Sequence, residues 1–210
     1  VFASEPLNAP AMEGNGTWAT LDSTDAQFNG CDFSDLVAEL DGNATYRKGN
    51  VFYQSGGTAQ FDSCTFSNNT LTGTSATHSE LQGNVYYLDS GEANFSNCTF
   101  NGNTIEGTDV DNVKGGVIYI EGGTANFESS TFSDNESNRY GGVAYVESEG
   151  TLTMNTVTID SSTAGTDGGV IYSEGGPVLI TDTDISVSDA GSNGGAIYIT
   201  GDLTMTDTDI

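Results

Sequence analysis

One short phrase recurs along most of this chain and constrains its fold more than any other feature. It consists of a glycine, a glycine or asparagine, an aliphatic residue, a further apolar residue and a tyrosine. The copies occupy 49–53, 83–87, 115–119, 141–145, 168–172 and 194–198, so successive tyrosines are 34, 32, 26, 27 and 26 residues apart. Trp18-Ala19-Thr20 resembles a degenerate first copy. A period of this length is typical of solenoid proteins, in which each repeat packs only against its neighbours.

Two further phrases follow each copy. The second has apolar residues on either side of a residue that is usually polar, at 26–28, 59–61, 93–95, 125–127, 152–154, 178–180 and 203–205. The third ends in Phe or Ile, at 31–33, 64–66, 98–100, 130–132, 157–159, 183–185 and 208–210. Each phrase alternates like a short strand, and none has helical periodicity. The sequence therefore predicts an all-β, single-stranded parallel β-helix (β-solenoid) of about seven coils with three short strands each.

The repeats also set the domain boundaries. We place an N-terminal extension at 1–15 and the β-helix repeat domain at 16–210. The connections after the third strand are long in the first three coils, and we predict loops at 34–48, 67–82 and 101–114 on one side of the rod. The basic residues of the chain lie in the same connection of their coils: Arg47, Lys48, Lys114 and Arg139. They indicate either a docking patch for acidic groups, such as another subunit's acidic column, or local relief of negative charge.

The charge of the chain excludes some partners. It has 30 acidic and 4 basic residues, for a formal charge of −26. Such a surface repels nucleic acid and anionic lipid, so we expect neither nucleic-acid binding nor direct membrane insertion. No apolar run approaches the length of a membrane span. The chain starts at Val1 without a signal peptide, which we interpret as a mature or partial form.

Two of the phrases resemble the motifs of a known family. Residues 194–197 read GGAI, and 66–69, 100–103 and 132–135 each read FxxN. Paired GGA(I/L/V) and FxxN repeats resemble the passenger domains of the polymorphic outer-membrane-protein type and, more broadly, the pectate-lyase-like right-handed parallel β-helices. The resemblance implies a right-handed β-helix in an extracellular or cell-surface location. It leaves the function open, because such coils occur in adhesins, surface filaments and polysaccharide-degrading enzymes.

The tyrosines of the first phrase form one column along the rod. Its members are Tyr53, Tyr87, Tyr119, Tyr145, Tyr172 and Tyr198, with the valine column (Val51, Val85, Val117, Val143 and Val170) on the same face of the predicted strands. We hypothesise that both columns point outward and form a contact surface for glycan or another subunit. The alternative is that the tyrosines point inward as part of the core.

Carboxylates follow the tyrosines at Asp89, Glu121, Glu147 and Glu174. Like charges one strand spacing apart repel each other. A Ca²⁺ ion between coils would relieve this repulsion, but Ca²⁺ takes six to eight oxygen ligands from several directions. The sequence has no calcium-loop signature, so we expect no metal and no cofactor, with Ca²⁺ at these four residues as the alternative.

Cysteines and asparagines form two shorter columns. Cys31, Cys64 and Cys98 fall at the start of the third phrase, and we expect buried free thiols rather than a bridge between two of them. Asn69, Asn103 and Asn135 follow the third strand, where we expect left-handed turn positions with amides stacked from coil to coil.

Several Asn-x-Ser/Thr sequons are candidates for glycosylation in a eukaryotic secretory pathway. We favour Asn43, Asn68 and Asn15, and then Asn97, because they lie in or near predicted loops and turns. Asn94 lies on a predicted strand, and Asn135 cannot both stack in a turn and carry a sugar.

The residue types and their spacing do not favour catalysis. Basic residues are scarce, His78 is the only histidine, and carboxylates such as Asp182, Asp184, Asp207 and Asp209 recur as repeat positions rather than as one irregular cluster. We predict an extracellular structural subunit of a cell-surface appendage or fibril that self-associates through the ends and outer faces of its β-helix. The alternative is an adhesin or autotransporter-like passenger domain that binds glycan or host protein, with a polysaccharide lyase or hydrolase as the third possibility.

Overall fold

The computed structural model describes residues 12–13, 17–23, 25–40, 46–74, 79–110 and 112–210. Within these residues every regular element is a strand, and every pair of neighbouring strands is parallel, each strand pairing with its equivalents in the adjacent coils. The predicted all-β parallel β-helix is therefore confirmed. Most of the predicted N-terminal extension at 1–15 lies outside the described residues, although Met12–Glu13 pairs with residues 38–39.

Sheet 1 is the largest of four sheets and contains the first two phrases. Its ten strands are Ala19–Leu21, Ala26–Asn29, Phe52–Asp62, Tyr86–Ser96, Ile118–Glu128, Ala144–Asn155, Ile171–Glu174, Val178–Thr181, Ile197–Ile199 and Leu203–Thr206. The sequence predicts two short strands here, but in the four central coils both phrases belong to one strand of 11 or 12 residues. The strands continue through an irregular register near Ser90 and Gly122, where the chain bends without ending the ladder.

Sheet 2 contains the third phrase. Its six strands are Asp32–Ser34, Thr65–Ser67, Thr99–Asn101, Thr131–Ser133, Thr158–Asp160 and Asp184–Ser186. The central residue of each strand is buried. Sheets 1 and 2 face each other across the main core, because the alternating side chains of both phrases point to the same interior.

Sheet 4 and three strands of sheet 3 occupy the segments predicted as long loops. Sheet 3 consists of Met12–Glu13, Val37–Leu40, Thr70–Thr74, Thr104–Thr108, Glu136–Ser137, Thr163–Ala164 and Asp189–Ala190, and sheet 4 of Tyr46–Lys48, Glu80–Gln82 and Asn112–Lys114. The prediction of loops at 34–48, 67–82 and 101–114 is wrong for the six strands that fall within them: Val37–Leu40, Tyr46–Lys48, Thr70–Thr74, Glu80–Gln82, Thr104–Thr108 and Asn112–Lys114. A second apolar core lies beneath them, formed by Ala38, Leu40, Leu71, Leu81, Ile105, Val110 and Val113.

The main core is built from ladders of identical residues. Phe28, Phe61, Phe95 and Phe127 stack with ring centroids 4.7–4.8 Å apart. A second ladder, Phe33, Phe66, Phe100 and Phe132, stacks at 4.7–5.1 Å and meets the first edge to face. Each aromatic pair contributes about 0.5–1.5 kcal/mol beyond its burial, so repeating one residue in every coil stabilises the stack.

The turn after sheet 2 differs by one residue from the prediction. The left-handed residue is the one before the ladder asparagine, as at Asn68 (φ 53°) and Gly102 (φ 64°). The stacked amides themselves are as predicted: Asn69 Nδ2 donates to Asn103 Oδ1 at 2.9 Å, and Asn103 Nδ2 donates to Asn135 Oδ1 at 2.9 Å. Each amide also bonds a backbone carbonyl of the preceding coil, which satisfies its donors in the interior.

Of the residues that the structure describes, none forms a helix of the length and apolarity that crosses a bilayer.

Candidate functional site on the outer face of sheet 1

The tyrosine column is continuous along sheet 1. The strand register pairs Tyr53, Tyr87, Tyr119, Tyr145, Tyr172 and Tyr198 in order from coil to coil. Neighbouring rings lie nearly parallel, with centroids 4.9–5.3 Å apart. The rings of Tyr53, Tyr87, Tyr119, Tyr145 and Tyr172 belong to a cluster separate from the main core.

The valines do not share this face. Val51, Val85, Val117, Val143 and Val170 are fully buried in the main core, next to the inward side chains of Phe52 and its equivalents. The chain bends just before each strand begins, so two consecutive side chains point inward. The outward valine column was predicted from strict alternation, which holds only within an extended strand, and the prediction is wrong.

The predicted exposure of the tyrosines is also wrong for the centre of the column. Tyr87, Tyr119 and Tyr145 are at most 3% exposed, while Tyr53, Tyr172 and Tyr198 are half-buried. Sheet 4 covers the rings: Lys48 Nζ lies 4.5 Å from the Tyr87 ring centroid, and Lys114 Nζ lies 4.6 Å from that of Tyr145. The central rings are therefore a covered layer rather than an open contact surface.

The carboxylate column accepts hydrogen bonds from the tyrosine column of the preceding coil. Tyr119 donates to Glu147 Oε1 at 2.6 Å, and the Tyr87 and Tyr145 hydroxyls donate to Glu121 and Glu174. Lys48 and Lys114 complete the arrangement with ion pairs to Glu121 (3.4 Å) and Glu147 (3.2 Å). Hydroxyl donors and lysines thus offset the repulsion that Ca²⁺ was invoked to relieve.

The titration of these groups follows from their surroundings. Burial, together with the hydrogen bond to a carboxylate, holds the pKa of Tyr87, Tyr119 and Tyr145 well above the usual value. Burial and the nearby Glu174 raise the pKa of Tyr172 to about 12. The hydroxyls therefore remain protonated donors at any pH near neutrality.

Two carboxylates of the column shift in opposite directions. Burial and the adjacent Glu121 raise the pKa of Asp89. Burial also opposes ionisation of Glu121, but hydrogen bonds and the charge of Lys48 outweigh it and lower the pKa of Glu121. Among the described residues no group of three or more His, Cys, Asp or Glu side chains is arranged to hold a metal ion. Calcium binding at Asp89, Glu121, Glu147 and Glu174 stays an untested alternative.

The basic residues do not form an open docking patch. Arg47 is fully buried, Lys48 and Lys114 pair with the chain's own carboxylates, and Arg139 is half-buried. The second alternative from the sequence was that the basic residues locally reduce the negative charge. The two lysines do so, through their ion pairs with Glu121 and Glu147. Arg47 does not, because its three guanidinium nitrogens have no hydrogen-bond acceptor among the described residues.

A feature of the column that sequence reasoning missed is the residue directly before the glycine of each phrase. These residues are Lys48, Gln82, Lys114, Tyr140, Asp167 and Asn193, and they pair from coil to coil beside the tyrosines. Tyr140 packs against Tyr172 with centroids 5.1 Å apart. The position could have been found from its constant place before the phrase glycine. It was missed because its residue type changes from coil to coil.

The cysteines are free and buried, as expected. Cys64 and Cys98 point their thiols at backbone carbonyls of the preceding coil, Phe28 and Phe61, at 3.5 Å. The hydrogen bond with Cys64 and burial raise the pKa of Cys98. The cysteine column is therefore part of the core, continued by Ser130 in the next coil.

Two of the four favoured sequons can be placed. Asn68 and Asn97 are exposed at left-handed corners, each with φ 53°. Asn15 and Asn43 lie outside the described residues. Asn135 is fully buried in its amide ladder. Glycosylation stays a prediction, and Asn68 and Asn97 are its accessible candidates.

The aspartates named in the enzyme question line one shallow groove. It has a volume of about 300 Å³ and contains Asp182, Asp184, Asp207 and Asp209 together with Thr156, Val157, Thr158 and Thr183. None of these lining residues is basic.

Residues 97–121 match the family model of the Chlamydia polymorphic membrane protein repeat. The segment contains one FxxN phrase, at 100–103, and one glycine-to-tyrosine phrase, at 115–119. No curated protein matches the chain, and no solved structure does. The repeat match and the parallel β-helix together confirm the resemblance drawn from the two phrases.

Proposed function

We propose that this parallel β-helix, with its repeat of the polymorphic membrane protein type, is a structural module of a cell-surface appendage or fibril. The observation that carries the proposal is the bonding of the tyrosine column. The side chains that could have formed an open contact surface are used to join one coil to the next, through hydroxyl–carboxylate bonds and lysine ion pairs. Side chains that bond one coil to the next stabilise a rod.

Assembly would extend the ladders along the rod axis. In the last described coil, Leu203 and Met205 are 42% and 37% exposed, although their register partners Val178 and Ile180 are buried in the core. In the described structure, Leu203–Thr206 pairs with Val178–Thr181 along one edge. A further coil, from a second copy or from further chain, would pair the other edge and bury these side chains.

Electron microscopy combined with intact mass tests the proposal on native material. We expect regular filaments, with a subunit mass above the 21.8 kDa of the peptide if sequons are occupied. Dispersed monomers at the peptide mass, at every concentration tried, would contradict a fibril subunit.

A matched pair of variants separates edge-dependent assembly from a general effect of charge. Leu203→Asp combined with Met205→Asp places charges at the core-facing positions of the edge strand, and we expect it to abolish filaments. Thr204→Asp adds charge on the opposite face of the same strand and should leave them intact. Equal assembly of both variants would show that the edge is not the contact.

A second candidate is an adhesin-like passenger domain, which the repeat match at 97–121 favours. It predicts monomers that bind glycan or host protein through exposed side chains. A glycan array and a cell-binding assay on monomeric protein distinguish it from the structural module. We expect no enzymatic activity, which an assay of acidic and neutral polysaccharides with and without Ca²⁺ would check.

A further inference from the structure

A buried, unpartnered guanidinium lies inside the second core. Arg47 is 0% exposed, and neither Nε nor either terminal nitrogen has a hydrogen-bond acceptor among the described residues. Lys48, the next residue in the chain, and Lys114, its equivalent two coils further on, both have carboxylate partners. A chain with 30 acidic residues therefore leaves its most deeply buried cation unpaired by any acidic side chain that the structure describes.

The position of Arg47 shows why this is unusual. The register of sheet 4 aligns Arg47 with Leu81, and Leu81 with Val113. Leu81 and Val113 belong to the second core, so the first coil has an arginine where the next two coils have an aliphatic side chain. Burial lowers the pKa of Arg47, yet a guanidinium remains charged throughout the pH range in which proteins fold. Buried charges are otherwise paired.

A second unsatisfied donor lies on the next coil. Ser79 is 0% exposed, and its Oγ has no hydrogen-bond partner in the described part of the chain. Ser79 directly precedes the sheet 4 strand Glu80–Gln82. Leu81 in that strand is the register partner of Arg47. Two fully buried, unsatisfied donors therefore lie on adjacent coils at sheet 4.

We propose that Arg47 and Ser79 form a binding site for a small oxyanion at the second core. A guanidinium presents planar, paired N–H donors that match a carboxylate, sulfate or phosphate, and the serine hydroxyl adds one more donor. The ligand neutralises the buried charge, which the described chain does not do. This site is independent of the proposed structural role, because it requires neither coil assembly nor the tyrosine column.

Thermal unfolding of the whole chain in matched salts tests the site. The protein is compared in chloride, acetate, sulfate and phosphate at equal ionic strength, as the native sequence, as Arg47→Leu and as Lys114→Gln. Arg47→Leu introduces the residue found at the equivalent position of the next coil, so we expect it to fold. Lys114→Gln removes the same charge from a cation that already has a partner.

We expect one oxyanion to raise the Tm of the native chain and of Lys114→Gln above the chloride value, by about 5 °C at 100 times its Kd. Arg47→Leu should lose that difference and be more stable than the native chain in chloride. Ser79→Ala should bind roughly tenfold more weakly by calorimetric titration, the loss of one charge-assisted hydrogen bond. A response to acetate alone identifies a carboxylate, and a response to sulfate or phosphate identifies an inorganic oxyanion.

Two results would overturn the proposal. If the native chain and Arg47→Leu respond identically to every anion, the effect is a general salt effect and no site exists. If Arg47→Leu is less stable than the native chain in chloride, the guanidinium is already satisfied without an added ligand.

Discussion

Tyr119 of one coil donates its hydroxyl hydrogen to Glu147 of the next, at 2.6 Å from Oε1. Lys114 reaches the same oxygen at 3.2 Å. The three side chains come from three different places in the sequence and from two sheets, yet each repeats a position of the coil. This triad is the unit from which the outer face of sheet 1 is built, and it makes the tyrosine column a stabilising element.

Removing one hydroxyl from this column should measure its contribution. We expect Tyr119→Phe to lower the free energy of unfolding by about 1–2 kcal/mol, because the buried ring remains stacked but Glu147 loses a donor. Tyr198→Phe is the control, since its half-buried hydroxyl has no hydrogen-bond partner among the described residues. Urea unfolding followed by circular dichroism gives both values. Equal losses would mean that the hydrogen bond contributes nothing.

Alkaline pH should unfold the protein through the same tyrosines. The folded pKa values of Tyr87, Tyr119 and Tyr145 lie above the unfolded value of about 10. That of Tyr172 is raised to about 12. The unfolded chain therefore releases protons first as the pH rises, so stability is full below about pH 10 and falls above it. Absorbance at 295 nm and circular dichroism, recorded together, should show ionisation of the buried rings only as the fold is lost. Ionisation of all 9 tyrosines near pH 10 with the fold intact would contradict this.

The second glycine of the phrase should be replaceable only where no coil lies above it. A Cβ at Gly116 would meet the carbonyl oxygen of Gly142 at 2.0 Å, whereas a Cβ at Gly195 has no atom within 4 Å. We expect Gly116→Ala to cost about 3 kcal/mol, because backbone cannot move aside. Gly195→Ala should change stability by less than about 1 kcal/mol. Thermal unfolding of the two variants checks the difference, and filament formation by Gly195→Ala tests whether a further coil covers it in the assembly.

One corner of the coil carries avoidable strain. Val187 is 75% exposed and has a left-handed backbone with φ 47°, a conformation that a β-branched residue rarely adopts. Asn68 occupies the equivalent corner of an earlier coil, with φ 53°. We expect Val187→Asn to raise the free energy of unfolding by about 1 kcal/mol, since Asn tolerates this backbone. Leu179→Asn, at an exposed site in a regular strand, should bring no gain, and a gain of equal size there would remove the explanation by strain.

The sequence gives the positions of several site residues in the coil but not their burial. The tyrosine column was predictable, because residues that recur at one position of the coil must stack. Its direction was a hypothesis, with inward tyrosines as the alternative. The burial of the rings was not predictable, because the cover comes from sheet 4, whose strands have three residues each. Three residues are too few for alternation to be recognised against the polar loop composition around them.

The sequence by itself determined the coil, its period and the ladders of Phe, Tyr, Asn and Cys, because a parallel β-helix repeats one local pattern of inward and outward side chains. Only the tertiary structure decided which outward residues are covered, where the second core lies and which cations have partners. Those outcomes depend on contacts between strands on different sides of a coil. Arg47 shows the difference most clearly: the sequence places it with three other basic residues, whereas folding turns it into an apolar interior opposite Leu81.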